Sequence, residues 1–460
     1  MSTAINPATK LADVIGANSV VSAPEELATH AMDGITPQVI ACPTSAEQVQ
    51  EIVRFAASER LAVQAFGSRS KCEMGMPVSR CDIAIDMTRL REVVHYDPGD
   101  LTLSVDAGIP LRELEELLSR LDQFLPLAVP CFESTTAGGA IASGIDSALR
   151  QQYGSARDFL IGAEFVDGTG QLCKSGGRVV KNVTGYDLHK LLIGSLSTLG
   201  VITRLNFRTF PLPPASGACL ALFSDAAAAL AFRASVDRKG LPLADMEILD
   251  PETAQILRAI LQRTDSQVPG LLSPDAWSVY CSYEGHEAVA MRIAKELQQS
   301  AGDTKALSLN PLGVTSGEEV GGMLREAYEW LRWGSPATLL QRIVVPRLSS
   351  EILGALRESA AALGLRSSIL VRACGVVYVS VFGEDEEQGT LASLTNTALN
   401  IGTLARARGG CSAILHAPLG VKTRVAAARV ALPDESLQLR LKRAFDPGNL
   451  FAPGRIVGGV

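Results

Sequence analysis

The chain lacks the features that would place it in a membrane, on a nucleic acid or around a metal cluster. No run of about 18 uncharged apolar residues occurs, because the best stretch, 215–232, is interrupted by Ser224 and Asp225. A net charge of −7 and the absence of a basic run argue against nucleic acid and anionic membranes as main partners. The nine cysteines are scattered and form no C-x-x-C pair, so neither an iron–sulfur cluster nor a zinc site is expected. These absences predict reduced thiols, a cytoplasmic location and no membrane insertion by the chain itself.

Two common nucleotide-binding motifs are also missing. No G-x-x-x-x-G-K-[ST] occurs, which excludes a P-loop, and no G-x-G-x-x-G opens a helix after a first strand, which argues against a Rossmann site. With 460 residues and 47% hydrophobic content, the chain is expected to fold as two or three globular domains. If it binds a nucleotide, another kind of anion-binding segment must do so.

Two segments rich in small residues are candidates for that role. An apolar run at 61–66 leads directly into the polar loop 67–75, which has glycines at both ends, and the segment 135–144 is crowded with glycine, alanine, serine and threonine. Short side chains let a backbone approach a bulky ligand and offer its N–H groups to an anion. Tight turns and close strand crossings without any ligand explain the same residues. Each segment taken alone is therefore compatible with anion binding and with a purely structural role.

The coarse pattern of elements favours an α+β fold. A capping-box spacing from Thr44 to Glu47 predicts the start of a helix, and the turn 97–100 between two short apolar runs predicts a hairpin. Strand pairs and helices then alternate, which is typical neither of a doubly wound sheet nor of a sandwich. After a proline-rich linker at 211–217, further strands and helices predict a second α+β unit that continues to about residue 430.

Five segments in order resemble one family: 67–75, 97–118, 135–162, 181–203 and the closing FDPGNLFAPGR at 445–455. They are similar to the FAD-binding domain of the vanillyl-alcohol-oxidase (PCMH) type, and most of all to the glycolate oxidase FAD-binding subunit and related D-2-hydroxyacid dehydrogenases. The resemblance implies an N-terminal segment (1–32), a two-subdomain FAD-binding domain (33–213), an α+β cap that forms the substrate pocket (214–435), and a tail (436–460) that returns to the FAD domain.

The resemblance also implies which residues bind FAD. The cofactor-binding positions that it maps onto this chain are Gly67, Ser68, Arg69, Ser70, Lys71, Gly75, Thr136, Gly138, Gly139, Ser143, Gly144, Gly200, Val201 and Ile202. Further signature positions, for which structural hydrogen bonds are an equal alternative, are Tyr153, Asp158, Lys181, Asn182, Tyr186 and Asp187.

Histidine usage bears on how the flavin is held. Some members of the family tether it through a histidine in the loop that corresponds to residues 67–75, called the first loop below. This chain has Lys71 and Cys72 there. None of the five histidines lies in that loop, so we expect non-covalent FAD, with Cys72 as a remote alternative tether. A lone late histidine, His416, replaces the paired histidines of the metal-dependent relatives, so no metal site is expected.

The function implied by the resemblance is oxidation of a small hydroxy acid. The substrate carboxylate needs a cation, and the candidates are Arg342 and Arg372, with Lys422 and Arg455 as weaker ones. Arg342 could equally hold a structural carboxylate. The missing metal motif favours a subunit that passes electrons to a second flavoprotein and an iron–sulfur subunit. A self-sufficient dehydrogenase or oxidase of another alcohol, and a non-catalytic FAD-bearing scaffold, are the alternatives.

Overall fold

The computed structural model describes residues 7–178, 185–263, 268–332, 334–372, 375–428 and 435–455. Its strands are β1 Val20–Val21, β2 Val39–Ala41, β3 Val63–Phe66, β4 Ile83–Asp86, β5 Val93–Asp97, β6 Thr102–Asp106, β7 Gln123–Phe124, β8 Leu160–Val166, β9 Leu172–Gly176, β10 Val201–Arg208, β11 Phe210–Pro211, β12 Ala215–Phe223, β13 Leu243–Leu249, β14 Trp277–Gly285, β15 Ser308–Leu312, β16 Ala337–Val344, β17 Arg366–Arg372, β18 Val376–Gly383 and β19 Cys411–His416.

Helices lie between these strands and at the two ends of the described chain. They are α1 Pro7–Ile15, α2 Pro24–Thr29, α3 Ala46–Glu59, α4 Leu111–Ser119, α5 Ala137–Ser143, α6 Arg150–Tyr153, α7 Ala156–Phe159, α8 Ala226–Lys239, α9 Pro251–Leu261, α10 Glu287–Asp303, α11 Val314–Arg325, α12 Ala327–Arg332, α13 Ser350–Ala361, α14 Gln388–Ala407, α15 Leu419–Ala427 and α16 Glu435–Phe445. Within the described ranges, none of them has the length and apolarity that a bilayer crossing requires.

The first half of the chain forms two small sheets. A four-stranded sheet has the order β1-β2-β4-β3, in which the pairs β2–β4 and β3–β4 are parallel. A five-stranded antiparallel sheet follows with the order β5-β6-β10-β8-β9. Valine and isoleucine side chains of β2, β3 and β4 pack with α3 in one core, while β6, β8 and β10 build another with α4 and α5. This is the two-subdomain arrangement that the resemblance implied.

The second half is built on one antiparallel sheet of eight strands, in the order β15-β12-β14-β13-β17-β18-β16-β19. Side chains alternate between its faces, as the pleat requires. On one face Cys219, Ala221 and Phe223 of β12 pack against α8 and α10. On the other, Ala218 and Leu220 pack with α9, α11 and α12. This second face also contacts the first half of the chain, because Met74 and Ile145 belong to the same cluster. The α+β class predicted from the sequence is confirmed.

Two local predictions are wrong in detail. Ser45, not Thr44, is the N-cap of α3, since its side chain accepts a hydrogen bond from the Gln48 main-chain N–H. The small-residue segment is a short helix, α5, rather than a turn, and Thr136 caps it by accepting from Gly139 N–H. Alanine favours helix strongly enough to offset two glycines when the surrounding packing is tight.

The first and the last described residues both pack with the first half of the protein. Leu11 and Ile15 of α1 lie in the same core as Val49 and Ile52 of α3. At the other end, Val63 N–H of β3 donates to Leu450 O at 2.8 Å. The predicted N-terminal segment is therefore an integral part of the first core, and the tail that follows the cap contacts the first sheet.

Candidate functional site

A cleft of about 750 Å³ opens between the loop that follows β3 and the helix α5. Most of the predicted cofactor-binding residues line it: Gly67, Ser68, Arg69, Ser70, Lys71, Thr136, Gly138, Gly139, Ser143 and Ile202. The structure thus brings together residues that are far apart in the sequence.

The first loop presents a series of unpaired main-chain donors. The N–H groups of Ser68, Arg69, Ser70 and Lys71 have no hydrogen-bond partner in the part of the chain that the structure describes. The loop is held by two short turns, in which Cys72 N–H donates to Arg69 O and Met74 N–H donates to Lys71 O. Arg69 adopts a left-handed φ of 64°, which bends the loop at its centre. Successive amides in such a loop form a concave site for an anion.

Lys71 adds a positive charge at the same place. Its ammonium group donates to Thr135 Oγ1 at 2.6 Å and to Ser70 Oγ at 3.2 Å. Only 9% of the residue is exposed, and no carboxylate within the described ranges forms a salt bridge with it. Burial lowers the pKa of Lys71 to about 8, and the negative charges of neighbouring acidic groups oppose that shift. A buried lysine without an acidic partner favours an anionic ligand.

The second small-residue segment has a different role from the one predicted. Its amides are already used: Ala137 N–H donates to Ile109 O, Gly138 N–H to Ala107 O, and Gly139 N–H to Thr136 Oγ1. A Cβ on Gly138 would lie 2.8 Å from Ala107 Cβ, so this glycine is needed for close packing. The prediction that both small-residue segments offer N–H groups to an anion is therefore wrong for residues 137–139. Among the described residues, a run of successive unpaired amides lies in the first loop, and α5 forms the opposite wall.

Gly67 belongs to this contact between loop and helix. A Cβ at position 67 would lie 2.1 Å from Thr136 Oγ1. The glycine that opens the loop therefore lets the loop approach the helix cap. This close approach sets the width of the cleft.

Four of the predicted cofactor-binding residues do not line the cleft. Gly75 has a φ of 84° and packs against Leu196 and Arg455, and Gly144 ends α5 in the left-handed conformation. Gly200 lies against the Val166 carbonyl, and Val201 is buried in the core of the first sheet. Each supports a neighbouring element of the site.

Several lining residues were missed by sequence reasoning. Leu196 and Ser197 line the cleft and both have positive φ, 50° and 60°. Non-glycine residues in this conformation cluster at functional sites, but their residue types carry no signal for it. Gln64, Met87, Ala107 and Thr135 also line the cleft. Gln64 is a polar residue of β3, the strand that leads into the polar loop, and this position could have indicated it as a lining residue.

The two cap arginines differ sharply. Arg372 is 2% exposed, and its Nε donates to Glu247 at 2.6 Å, while its two terminal nitrogens donate to the carbonyls of Asp146 and Leu324. All its nitrogens are therefore engaged. The side chain of Arg342 is 28% exposed and donates to Asp146 Oδ2 at 3.0 Å through one nitrogen. This contact corresponds to the structural alternative, yet the remaining donors of Arg342 form no hydrogen bond with the described residues.

The weaker cationic candidates lie together elsewhere. Lys422 Nζ and Arg455 Nη1 both contact Asp33, at 3.3 and 3.2 Å. Arg455 also donates to the carbonyls of Met74 and Met76. These cations join the cap and the tail to the first loop, although Arg455 additionally lines the cleft.

The signature residues make mostly structural contacts. Tyr153 OH donates to Glu284 at 2.7 Å, and Asp158 accepts from Ser155 N–H at the start of α7. Tyr186 is 90% exposed. Lys181 and Asn182 lie outside the described residues.

The cleft fits FAD by its own chemistry. The diphosphate would lie on the amides of residues 68–71 beside Lys71, and the apolar wall of Met87, Ala107 and Ile202 suits a flat ring. Neighbouring acidic groups offset the burial of Lys71 only in part, so a diphosphate would give its ammonium group a direct anionic partner. The donors, the charge and the apolar wall all fit the cofactor.

Comparison with protein families identifies the class. The family model for the FAD binding domain matches residues 37–176, and the one for the C-terminal domain of FAD linked oxidases matches residues 212–380. The chain belongs to the FAD-linked oxidases, and FAD is its cofactor.

The relatives include two glycolate oxidase subunits and a D-2-hydroxyglutarate dehydrogenase. The chain is 38% identical to glycolate oxidase subunit GlcE of Escherichia coli over 36% of its own length and 47% of the relative, and 33% identical to D-2-hydroxyglutarate dehydrogenase of Xanthomonas citri over 40% of each chain. The match thus spans less than half of these two relatives. Glycolate oxidase subunit GlcD of Bacillus subtilis is 22% identical over 91% of this chain and 89% of its own.

Solved structures match the whole fold. The chain is similar to p-cresol methylhydroxylase with a TM-score of 0.75 and 17% identity, over 98% of this chain and 96% of the other. A 4-ethylphenol oxidase from Gulosibacter chungangensis gives a TM-score of 0.76 at 17% identity, over 98% and 97%. At this identity the similarity concerns the fold alone.

Proposed function

We propose that this chain is an FAD-dependent oxidoreductase that oxidises the CH–OH group of a small 2-hydroxy acid, such as glycolate. It passes the electrons to partner subunits, namely a second flavoprotein and an iron–sulfur protein. The observation that carries the proposal is the loop 67–75, where four successive unpaired amides and Lys71 face one cleft. The similarity to the glycolate oxidase subunits supports the substrate class and the assembly.

Within this proposal each residue has a defined task. Ser68, Arg69, Ser70 and Lys71 hold the diphosphate, and FAD, when bound, supplies the acceptor for a hydride. The free nitrogens of Arg342 bind the substrate carboxylate, because a guanidinium can pair with a second carboxylate beside Asp146. Arg372 is not proposed for this task, since its nitrogens are engaged.

The proposal is tested by the flavin absorbance of the purified chain. Anaerobic glycolate or D-lactate is added to the chain alone and to a mixture reconstituted with its partners, and bleaching of the oxidised flavin band is measured. We expect the added hydroxy acid to bleach the oxidised flavin band. In a separate test, acid precipitation is expected to leave the yellow flavin in the supernatant, because the proposal has FAD held non-covalently. A colourless protein that does not take up FAD would refute the proposal.

The engaged arginines favour one alternative, a non-catalytic FAD-bearing scaffold subunit. Arg372 is fully engaged and Arg342 already contacts Asp146. Bleaching of the isolated chain would exclude the scaffold.

The matched pair Arg342→Lys and Arg366→Lys, the latter on an exposed arginine, then tests the substrate contact. We expect only the first to raise the KM for the hydroxy acid.

A further inference from the structure

A short segment of the FAD domain, residues 130–135, lies between the flavin cleft and the cap, and it is called the strap below. Its last residue, Thr135, lines the cleft and is 1% exposed. The Thr135 hydroxyl donates to Cys131 O at 2.7 Å and accepts from the Lys71 ammonium group at 2.6 Å. Because the hydroxyl proton is used within the strap, a lone pair of the oxygen is left for Lys71. The conformation of the strap therefore sets the position of the Lys71 charge.

Two glutamates of the cap hold the strap. Glu326 ends α11, and its two carboxylate oxygens accept the main-chain N–H groups of Cys131, at 2.5 Å, and Phe132, at 3.2 Å. Glu329 of α12 accepts a hydrogen bond from the Cys131 thiol. Cys131 has a left-handed φ of 54°, an uncommon conformation for a residue with a side chain. Contacts from the cap therefore support a backbone bend that the strap alone would rarely adopt.

The two glutamates also act on Lys71 by their charge. Glu329 Oε2 accepts from Arg332 Nη2 at 2.8 Å, whereas no cation in the described part of the chain forms a salt bridge with Glu326. Burial lowers the pKa of Lys71 to about 8. The acidic groups of Cys131, Glu329 and Glu326 oppose this shift, and the Arg332 guanidinium adds to it. Without the two carboxylates, the ammonium group would lose its proton at a lower pH.

We propose that Glu326 and Glu329 are positioning residues of the FAD site: through the strap they hold Lys71 against the cofactor diphosphate, so that cap docking and FAD binding strengthen each other. The coupling is reciprocal, because a ligand that binds better when the cap holds the strap also favours that contact. The inference rests on the diphosphate-binding role proposed for Lys71, and it is independent of the substrate and the electron acceptor.

The test is titration of the FAD-free full chain with FAD at pH 7, followed by quenching of flavin fluorescence. Glu326→Gln and Glu329→Gln keep the side-chain shape and remove the charge, and each is expected to weaken FAD binding by about three- to tenfold. Glu318→Gln changes an exposed carboxylate of α11 and should leave the affinity unchanged. In a chain that also carries Lys71→Met, the two glutamate substitutions should have little effect, because the residue that they position is gone.

A pH profile of the affinity separates positioning of Lys71 from a general loss of stability. In the unmodified chain the affinity for FAD should fall as the pH rises above 8. In both glutamate variants this fall should begin about half a pH unit lower, because Lys71 loses a negative neighbour. A loss of stability alone would leave the position of the fall unchanged.

Glutamate variants with the affinity and pH profile of the unmodified chain would overturn the inference. So would a loss of FAD affinity that is equally large in the Lys71→Met background, since the glutamates would then act on the fold and not through Lys71. Both outcomes leave the role of Lys71 intact. A Lys71→Met variant that binds FAD as tightly as the unmodified chain would instead refute that role, and this inference with it.

Discussion

At the residue scale, the buried lysines separate structural from functional charge. Lys442 contacts Asp446 at 2.7 Å and Lys422 contacts Asp33 at 3.3 Å, so each has a carboxylate that compensates for burial. Within the described residues, Lys71 donates to the hydroxyls of Ser70 and Thr135 and forms no salt bridge with a carboxylate. A buried lysine that forms no ion pair lowers the stability of the fold unless a bound ligand supplies the opposite charge.

This difference predicts a pH dependence of FAD binding. Without FAD the pKa of Lys71 is lowered to about 8 by burial, and the diphosphate favours the protonated form, which raises that pKa in the complex. The affinity for FAD should therefore be full below pH 8 and fall as the pH rises above it, by up to about tenfold per pH unit. Quenching of flavin fluorescence between pH 6.5 and 9.5 measures this.

Two variants control that measurement. Lys71→Met removes the titrating group, so it should bind FAD more weakly at pH 7 and show a flat profile. Lys174→Met changes an exposed lysine and should keep the profile of the unmodified chain. A slope in Lys71→Met equal to that of the unmodified chain would contradict the assignment.

At the element scale, regular patterns were predictable and the small-residue segment was not. The leucine spacing over 111–118 is typical of a helix with one buried face, and Leu111, Leu114 and Leu118 are buried in α4. The start of α3 was displaced by one residue because Thr44 and Ser45 are both good caps. The helix α5 could not be read from its glycines, because tertiary contacts with Ala107 decide its conformation.

The same limit applies to the candidate site. The polar loop 67–75 after a strand was a local signal, and most of its residues line the cleft. Leu196 and Ser197 reach the cleft through an uncommon backbone conformation that no residue type announces. Which amides remain unpaired depends on contacts such as Gly138 N–H with Ala107 O, which join segments remote in sequence.

The contact of α5 predicts opposite effects of one substitution in two helices. Gly138→Ala places a Cβ 2.8 Å from Ala107 Cβ and should destabilise the protein by about 1–3 kcal/mol through overpacking. Gly354→Ala lies in α13 with nothing within 4 Å and should stabilise by about 0.5–1 kcal/mol through helix propensity. Thermal unfolding of the two variants measures the difference, and a shift of both midpoints in the same direction would contradict it.

At the scale of the whole molecule, separate stretches of chain meet at one buried carboxylate. Asp33 accepts from Lys422 of the cap helix α15 and from Arg455 of the tail. Lys422 and Arg455 also donate to carbonyls of the first loop, those of Glu73 and Cys72. No local pattern predicts this cluster, because its members are separated by up to 422 residues. It joins the cap and the tail to the loop that forms the flavin cleft.

Because Asp33 compensates two buried cations, its loss should affect the protein as a whole. Asp33→Asn leaves Lys422 and Arg455 buried without a carboxylate, which typically costs about 3–5 kcal/mol. Glu59→Gln breaks the exposed pair with Lys10 and should cost about 1 kcal/mol or less. Thermal unfolding compares the two variants, and FAD titration reports on the loop. We expect Asp33→Asn to lower both the unfolding midpoint and the affinity for FAD, since the first loop loses its anchor. An unfolding midpoint as high as that of Glu59→Gln would mean that the cluster does not hold the cap, tail and loop together.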